Sequence, residues 1–357
     1  LRGLMVLIDG LGDRPQEKLH GKTPFEYAKT PVWDGLEKTG GRGRFITCPK
    51  GLRADSVTGI CTLLGVPEKQ IPIGRAALEA AAKGVFLAPK DFAYRCNLAA
   101  FDKNGILVSS SGGTLTDAEM KQVTQKLWEN EKRDGLELIL LTGYRNLIIK
   151  RHGVTSEIAT MPPPHQNIGG LLFHGEMELN NSIKINGLYY RLYFWDESQG
   201  VALPFFQDLW KMTGAAVAQA EIVHGIARMM EMKAPFVPGA TGETDTSLGA
   251  KAFAALDLLE QYGFVLLHVN GTDEAAHRRN PLEKACFLEQ IDQILLQIIL
   301  SKLPKDTRLM ICSDHDSCSD TGEHRGMPQP FWVWGPGIET KNYKTLPGGC
   351  AVKLLLG

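Results

Sequence analysis

Acidic and imidazole side chains that follow short apolar runs are the groups in this sequence best suited to chemistry. Asp9 comes directly after Leu4-Met5-Val6-Leu7-Ile8. The run Phe264–Val269 leads into Thr272-Asp273-Glu274-Ala275-Ala276-His277, where a helical turn would set Asp273 and His277 on one face. The run Leu309–Cys312 ends in Ser313-Asp314-His315, and His324 follows within Gly322-Glu323-His324. Mixed carboxylate and imidazole donors suit Zn²⁺ or Mn²⁺ better than Ca²⁺. Three aspartates and three histidines are too many for one tetrahedral ion. A pair of ions roughly 3.5–4 Å apart or somewhat further would use them, and such pairs serve phosphoryl transfer. Singly, each residue has a plainer explanation. An Asp after a strand commonly caps a helix, His277 suits a solvated helix face, and Asp314-His315 suits a turn. Their occurrence together at three strand ends favours a dinuclear metal site.

A nucleophile candidate lies in Ala54-Asp55-Ser56-Val57-Thr58-Gly59-Ile60. The small residues and Gly59 suit a loop that turns into a helix, whose free N–H groups and dipole favour a phosphate. A serine hydroxyl on a metal ion loses its proton more readily and attacks as an alkoxide. Ser56, or Asp55 beside it, equally suits a helix cap. Local sequence leaves both roles open.

Elements must carry these groups. Leu4–Ile8, Leu138–Leu141, Leu147–Ile149, Phe264–Val269 and Leu309–Cys312 are short, continuous apolar runs, as buried strands require. Helical segments alternate with them. Thr116 and Glu119 form a capping box for a helix running to about Lys132. Asn280-Pro281 opens another, with Leu282, Ala285, Leu288, Ile291, Leu295 and Ile298 on one face. A third spans Thr246 to Tyr262 and closes at Gly263. Strands alternating with helices predict an α/β fold with a mostly parallel sheet. From about Ala93 to Gln199 the strands are shorter and alternate in polarity, as in Leu188–Phe194, and Pro162-Pro163-Pro164 breaks the chain. This stretch reads as an inserted, smaller α+β domain.

Composition narrows the function. Lys+Arg total 39 against Asp+Glu 40, a formal charge of -1, so no long-range field draws the chain to nucleic acid or an anionic membrane. No apolar stretch approaches the roughly 20 residues of a membrane span, and Leu1–Ile8 is too short for a secretory signal. Seven cysteines without a Cys-x-x-Cys pair make neither a disulfide framework nor a zinc knuckle. A reduced, cytoplasmic protein is expected.

Asp9-Gly10 and Gly21-Lys22-Thr23-Pro24-Phe25-Glu26-Tyr27-Ala28-Lys29-Thr30-Pro31 resemble the opening of the archaeal-type, cofactor-independent phosphoglycerate mutases of the alkaline phosphatase superfamily. Collinear matches continue through Leu63-Leu64-Gly65, Gly74–Ala80, Ala93–Asn97, Val237–Gly242, Asp245-Thr246, His268–His277 and Asp314-His315. The resemblance implies a three-layer α/β/α core over residues 1–92 and 206–357, with residues 93–205 as a substrate-binding lid. It implies one divalent ion on Asp273, His277 and His324, and a second on Asp9, Asp314, His315 and the Ser56 hydroxyl. The ions would be Mn²⁺ or Zn²⁺, with Mg²⁺ or Co²⁺ as further options. Ser56 would carry the phosphoryl group, with Lys251 stabilising its charge. Arg95, Asn97 and Arg145 are the candidates for gripping a small phosphorylated metabolite, since Arg binds carboxylate or phosphate bidentately. His165, after the prolines, either relays a proton at the substrate or only stiffens a loop. The implied reaction moves a phosphoryl group between the 2- and 3-hydroxyls of glycerate. Two stretches depart from the pattern: Asp55-Ser56-Val57 stands where Gly-Ser-Asp is usual, and Phe194–Gly200 replaces a shorter Trp-Gly-Gln-Gly-like segment. A phosphatase, or a mutase or kinase-like relative for another metabolite, is the alternative.

Overall fold

A computed structural model describes residues 1–131, 135–152, 161–170 and 182–357. The chain divides into two compact units, Leu1–Ile71 with Leu203–Gly357, and Pro72–Ala202.

The first unit is built on a seven-stranded sheet. Its strand Arg2–Ile8 lies between Phe264–Val269 and Thr307–Cys312 and runs parallel to both. Gly214–Val217 extends the sheet in parallel on one side. On the other side, Gln329–Trp334 and Gly41–Ile46 add antiparallel pairings, and Asn342–Pro347 closes the edge parallel to Gly41–Ile46. Register places the chemistry. Ile8 pairs with Val269 and Leu7 with Cys312, so Asp9, Asn270 and Ser313 leave the sheet at its carboxyl edge together. Open α/β sheets put their sites at that edge.

Leu4 to Ile8 are fully buried because both faces of the strand are covered. Leu4, Val6 and Ile8 share a core with Leu248, Ala252 and Leu259. Successive side chains alternate between faces. A Cβ on Gly3 would accordingly meet Leu355 Cγ at 3.0 Å, in the C-terminal helix Ala351–Leu356 on the opposite face. The result is the expected α/β/α sandwich.

Helix ends follow local chemistry. Leu248–Leu259 is capped by Ser247, whose Oγ accepts from Ala250 N at 3.3 Å, so it is shorter than Thr246–Tyr262. Pro281–Gln290 is capped by Asn280, whose Oδ1 accepts from Glu283 N at 3.2 Å. That helix continues through a π-helical stretch, Ile291–Leu296, into Gln297–Lys302. Ala285, Leu288, Ile291 and Leu295 are buried as the periodicity requires, while Leu282 in the first turn is exposed. Within the π stretch, buried Asp292 accepts from Val32 N at 3.2 Å and Trp33 N at 2.7 Å. It thereby caps the separate helix Pro31–Glu37, which Thr30 does not cap.

The second unit is an antiparallel sheet in the order Leu136–Leu140, Arg145–Lys150, Phe92–Phe101, Leu188–Gln199, Ile183–Ile185. The helix Asp117–Glu131 starts at the Thr116 box, where Glu119 Oε2 accepts from Thr116 N at 2.8 Å. Its expected end at Lys132 lies outside the described residues. The boundary expected at 92/93 moves to Pro72. Helix Ala76–Ala82 belongs to this unit because Ala76 and Ala80 pack with Ala93, Leu147 and Ile149. The far boundary falls at Ala202 rather than 205. The unusual Phe194–Gly200 stretch contains a bulge: Tyr94 pairs with Glu197 and Arg95 with Trp195, leaving Asp196 as the extra residue at φ 51°.

Candidate metal centre

Asp9 stands where the first strand ends, and each of its oxygens has a partner. Oδ2 accepts from His268 Nε2 at 2.8 Å. Oδ1 lies 3.3 Å from His315 Nε2 and 3.4 Å from Ser56 Oγ. His315 Nε2 is in turn 3.0 Å from Ser56 Oγ and 3.4 Å from Asp314 Oδ2. Asp314 Oδ1 accepts from Gly10 N at 3.1 Å and His315 N at 3.0 Å. Its Oδ2 is buried with no hydrogen bond.

Asp273 gathers the remaining histidines. Its Oδ2 is 3.1 Å from His277 Nε2, across one turn of the helix Gly271–His277. Its Oδ1 is 3.1 Å from His324 Nε2, which lies 3.2 Å from His277 Nε2. Ser317 donates its hydroxyl to Asp273 Oδ1. The ring of His324 stacks on His315 with centroids 3.9 Å apart. Two sets of donor atoms close enough to share an ion result: Asp9 with Asp314 and His315, and Asp273 with His315 and His324. His315 belongs to both.

These side chains suit cations. His315 Nδ1 faces the Asp316 carbonyl at 3.3 Å, which leaves Nε2 turned toward the oxygens of Asp9, Asp314 and Ser56, where a cation could replace its proton. Burial alone would lower the His315 pKa, but the carboxylates of Asp314 and Asp9 raise it to about 10. Burial and the Asp9 carboxylate push Asp314 well above the usual carboxyl range. Burial also presses upward on Asp9 and Asp273. Hydrogen bonds from His268 and His315 to Asp9, and from His277 and His324 to Asp273, outweigh it and hold both low. A buried group of three carboxylates, one oxygen of which lacks a donor, is electrostatically incomplete without positive charge. Divalent ions fit that deficit.

Ser56 opens the buried helix Ser56–Leu63. Asp55 is its cap, with Oδ1 accepting from Thr58 N at 2.9 Å. Capping therefore falls to Asp55, and the Ser56 hydroxyl faces Asp9 and His315. Gly59 lets this helix approach the donor loop: a Cβ there would stand 2.6 Å from Asp314 Cβ. Lys251 is fully buried, and burial lowers its pKa to about 8. Its ammonium donates to Thr241 O at 3.1 Å and His268 O at 3.3 Å.

The candidates in the second unit are differently placed. Arg95 Nε lies 3.3 Å from Glu79 Oε2, and its guanidinium stacks 4.2 Å over Trp195. Asn97 is buried, donating from Nδ2 to Ser110 O at 2.8 Å and accepting from Trp195 Nε1 at 2.9 Å. Both ends of its amide are therefore engaged within this unit. Arg145, half-buried, pairs with Asn97 across neighbouring strands. The His165 side chain lies outside the described residues.

Sequence reasoning missed His268, Ser317 and Thr272, whose hydroxyl donates to the Asp9 carbonyl. His268 had a signal. A single histidine within an apolar, fully buried strand needs a polar partner. Ser317 and Thr272 had none, because their partners are distant in sequence.

An α/β/α core with histidines and aspartates converging on a buried serine defines a metalloenzyme. The family model described as Metalloenzyme superfamily matches residues 1–351. A 2,3-bisphosphoglycerate-independent phosphoglycerate mutase of Thermococcus gammatolerans is 31% identical, covering 94% of this chain and 89% of its own. The corresponding mutase of Methanosphaera stadtmanae is 28% identical over 99% of this chain and 93% of its own. A Pyrococcus horikoshii protein of solved structure superposes with a TM-score of 0.81 at 25% identity, covering 99% of this chain and 96% of its own. The cofactor-independent phosphoglycerate mutase of Thermoplasma acidophilum, 19% identical and covering 100% of both chains, shares the fold at a TM-score of 0.62. The chain belongs to the Metalloenzyme superfamily and, within it, to the family of 2,3-bisphosphoglycerate-independent phosphoglycerate mutases. Membership implies divalent metal binding. Among the described residues, no helix is long and apolar enough to cross a membrane.

Proposed function

We propose that this protein interconverts 3-phosphoglycerate and 2-phosphoglycerate through a phosphoserine at Ser56. One observation carries the reading: the Ser56 hydroxyl sits 3.0 Å from His315 Nε2 and 3.4 Å from Asp9 Oδ1, inside a buried cluster of donors. Asp9, Asp314, His315 and Ser56 would hold one divalent ion, and Asp273, His277 and His324 another. Mn²⁺ or Zn²⁺ suits these donors first, with Mg²⁺ or Co²⁺ also compatible. When bound, such ions supply the charge that lowers the Ser56 hydroxyl pKa and neutralises phosphoryl oxygens.

The chain's own residues do the rest. Ser56 Oγ attacks phosphorus, the bond to one glycerate hydroxyl breaks, and the Ser56 proton ends on the departing alcohol. The other hydroxyl then attacks the same phosphorus, the P–Oγ bond breaks, and Ser56 regains a proton. Nothing is gained or lost overall. Because Asp55 is the cap, Oγ is unencumbered, and the N–H groups of the first helical turn favour the anionic phosphoryl group. Water reaching phosphoserine would hydrolyse it, and Ser56 is only 3% exposed. Lys251 stabilises charge on the phosphorylated serine in this reading. Arg95 and Arg145 remain the candidates for the substrate carboxylate and phosphate. Free cysteines throughout are consistent with a cytoplasmic location.

The test is direct. Metal-loaded protein given 3-phosphoglycerate should form 2-phosphoglycerate without accumulating inorganic phosphate. Absence of 2-phosphoglycerate would refute the reading, and phosphate release outrunning isomerisation would favour a phosphatase.

A further inference from the structure

Lys284 and Asp13 form an ion pair in which neither side chain is exposed, and the proposed reaction uses neither. Taking two charges out of water is costly unless their remaining hydrogen-bonding capacity is met. Here it is met. The ammonium donates to Asp13 Oδ2 at 3.1 Å, Gly12 O at 3.1 Å and Ser317 O at 2.8 Å. The carboxylate also accepts from Arg14 N at 2.7 Å, Gln16 Nε2 at 3.0 Å, Ser319 N at 3.1 Å and Ser319 Oγ at 2.5 Å.

What the pair joins gives it meaning. Gly12 and Asp13 lie in the loop that begins with Asp9, and Ser317 and Ser319 in the loop that begins with Asp314 and His315. Lys284 reaches both from the helix Pro281–Gln290. Nearby bonds align the same two loops: Ser317 N donates to Gly12 O at 2.9 Å, and Leu11 N to Ser313 Oγ at 3.1 Å. Ser317 also donates to Asp273, so all three donor carboxylates depend on this junction.

We infer that Lys284 and Asp13 are positioning residues of the metal centre, fixing the Asp9 loop against the Asp314–Ser317 loop so that the donors converge. The inference rests on the reading given under Proposed function. A purely electrostatic role predicts the opposite sign. The ammonium also faces the carboxylates of Asp273 and Asp316, so removing a cation there would tighten divalent binding if charge alone mattered.

Mn²⁺ titration of metal-stripped full-length protein by calorimetry separates these roles. Lys284→Met, and the charge-balanced double variant Asp13→Asn with Lys284→Met, are expected to bind Mn²⁺ about 10–100-fold more weakly than the parent. Far-ultraviolet dichroism should be unchanged, and kcat should recover in part at saturating Mn²⁺. Because Lys284→Met alone leaves a carboxylate unpaired, the double variant decides if the single one does not fold. Affinity within twofold of the parent, or tighter, would overturn the inference. So would a double variant that fails to fold, since the pair would then be a requirement of the fold. A parent that binds no Mn²⁺ would instead refute the reading of the site itself.

Discussion

Ser56 and Asp55 divide two tasks that their local sequence leaves undivided. The carboxylate caps the helix through Thr58 N, and the hydroxyl turns to Asp9 and His315. Ser56→Ala is therefore expected to abolish mutase turnover while the protein still folds and still binds Mn²⁺ through the remaining donors. A coupled assay for 2-phosphoglycerate with parallel metal analysis checks this, and near-normal turnover would exclude the covalent route. His324→Ala is expected to weaken Mn²⁺ binding about tenfold or more, because its Nε2 is 3.1 Å from Asp273 Oδ1. Equilibrium dialysis measures it, and unaltered metal content would remove His324 from the site. Asp9, Asp273 and Asp314 were legible as candidate donors because each lies at or just beyond a strand end that its apolar run marks. The groups that orient them were not. Ser317 acts across 44 residues and Thr272 across 263, and only His268 stood out, as the one polar side chain in its strand.

Short helices hold these groups by close approach and by capping from afar. Gly59 brings the Ser56 helix against the Asp314 loop, where an added methyl would stand 2.6 Å from one side-chain carbon and 2.7 Å from a carbonyl oxygen. Gly59→Ala should cost about 1–3 kcal/mol of stability and lower kcat more than it raises KM. Urea unfolding and steady-state kinetics would show it; parent-like values for both would mean the helix shifts freely. Asp292→Ala leaves the N–H groups of Val32 and Trp33 without their acceptor, an expected loss of about 1–3 kcal/mol read from urea unfolding. Caps adjacent to their helices, Asn280 and the Thr116–Glu119 box, could be read from sequence spacing. Asp292 could not, since its helix and the one it caps are about 260 positions apart. The inserted unit was recognisable from its alternating strands. Its start at Pro72 is not marked in the sequence, because the alanine-rich helix Ala76–Ala82 declares its partner only through packing on Ala93 and Leu147.

At the scale of the whole chain, parallel register converts distant sequence positions into one cluster, so metal binding and stability are linked. Chelation should lower the melting temperature and added Mn²⁺ restore it, as expected when a ligand binds the folded state alone. An unchanged melting curve would deny the link. Acid sensitivity has a source in the other unit. Burial pushes the Asp91 carboxyl up, but hydrogen bonds from His152 N, Ala88 N and Arg151 outweigh it and bring the pKa to about 2. The unfolded value is about 3.9, so the stabilisation is complete above that pH and is lost as pH falls from about 4 to 2. Asp91→Asn should flatten the fall of the urea midpoint over that window, and an unchanged slope would assign the acid sensitivity to other groups. The central claim, transfer through Ser56, is tested most directly by acid-quenching the Mn²⁺-loaded protein during turnover of 3-phosphoglycerate and mapping phosphopeptides by mass spectrometry. The account predicts phosphate on Ser56 that disappears when substrate is exhausted or removed. Turnover to 2-phosphoglycerate with Ser56 unmodified at every quench time would contradict it.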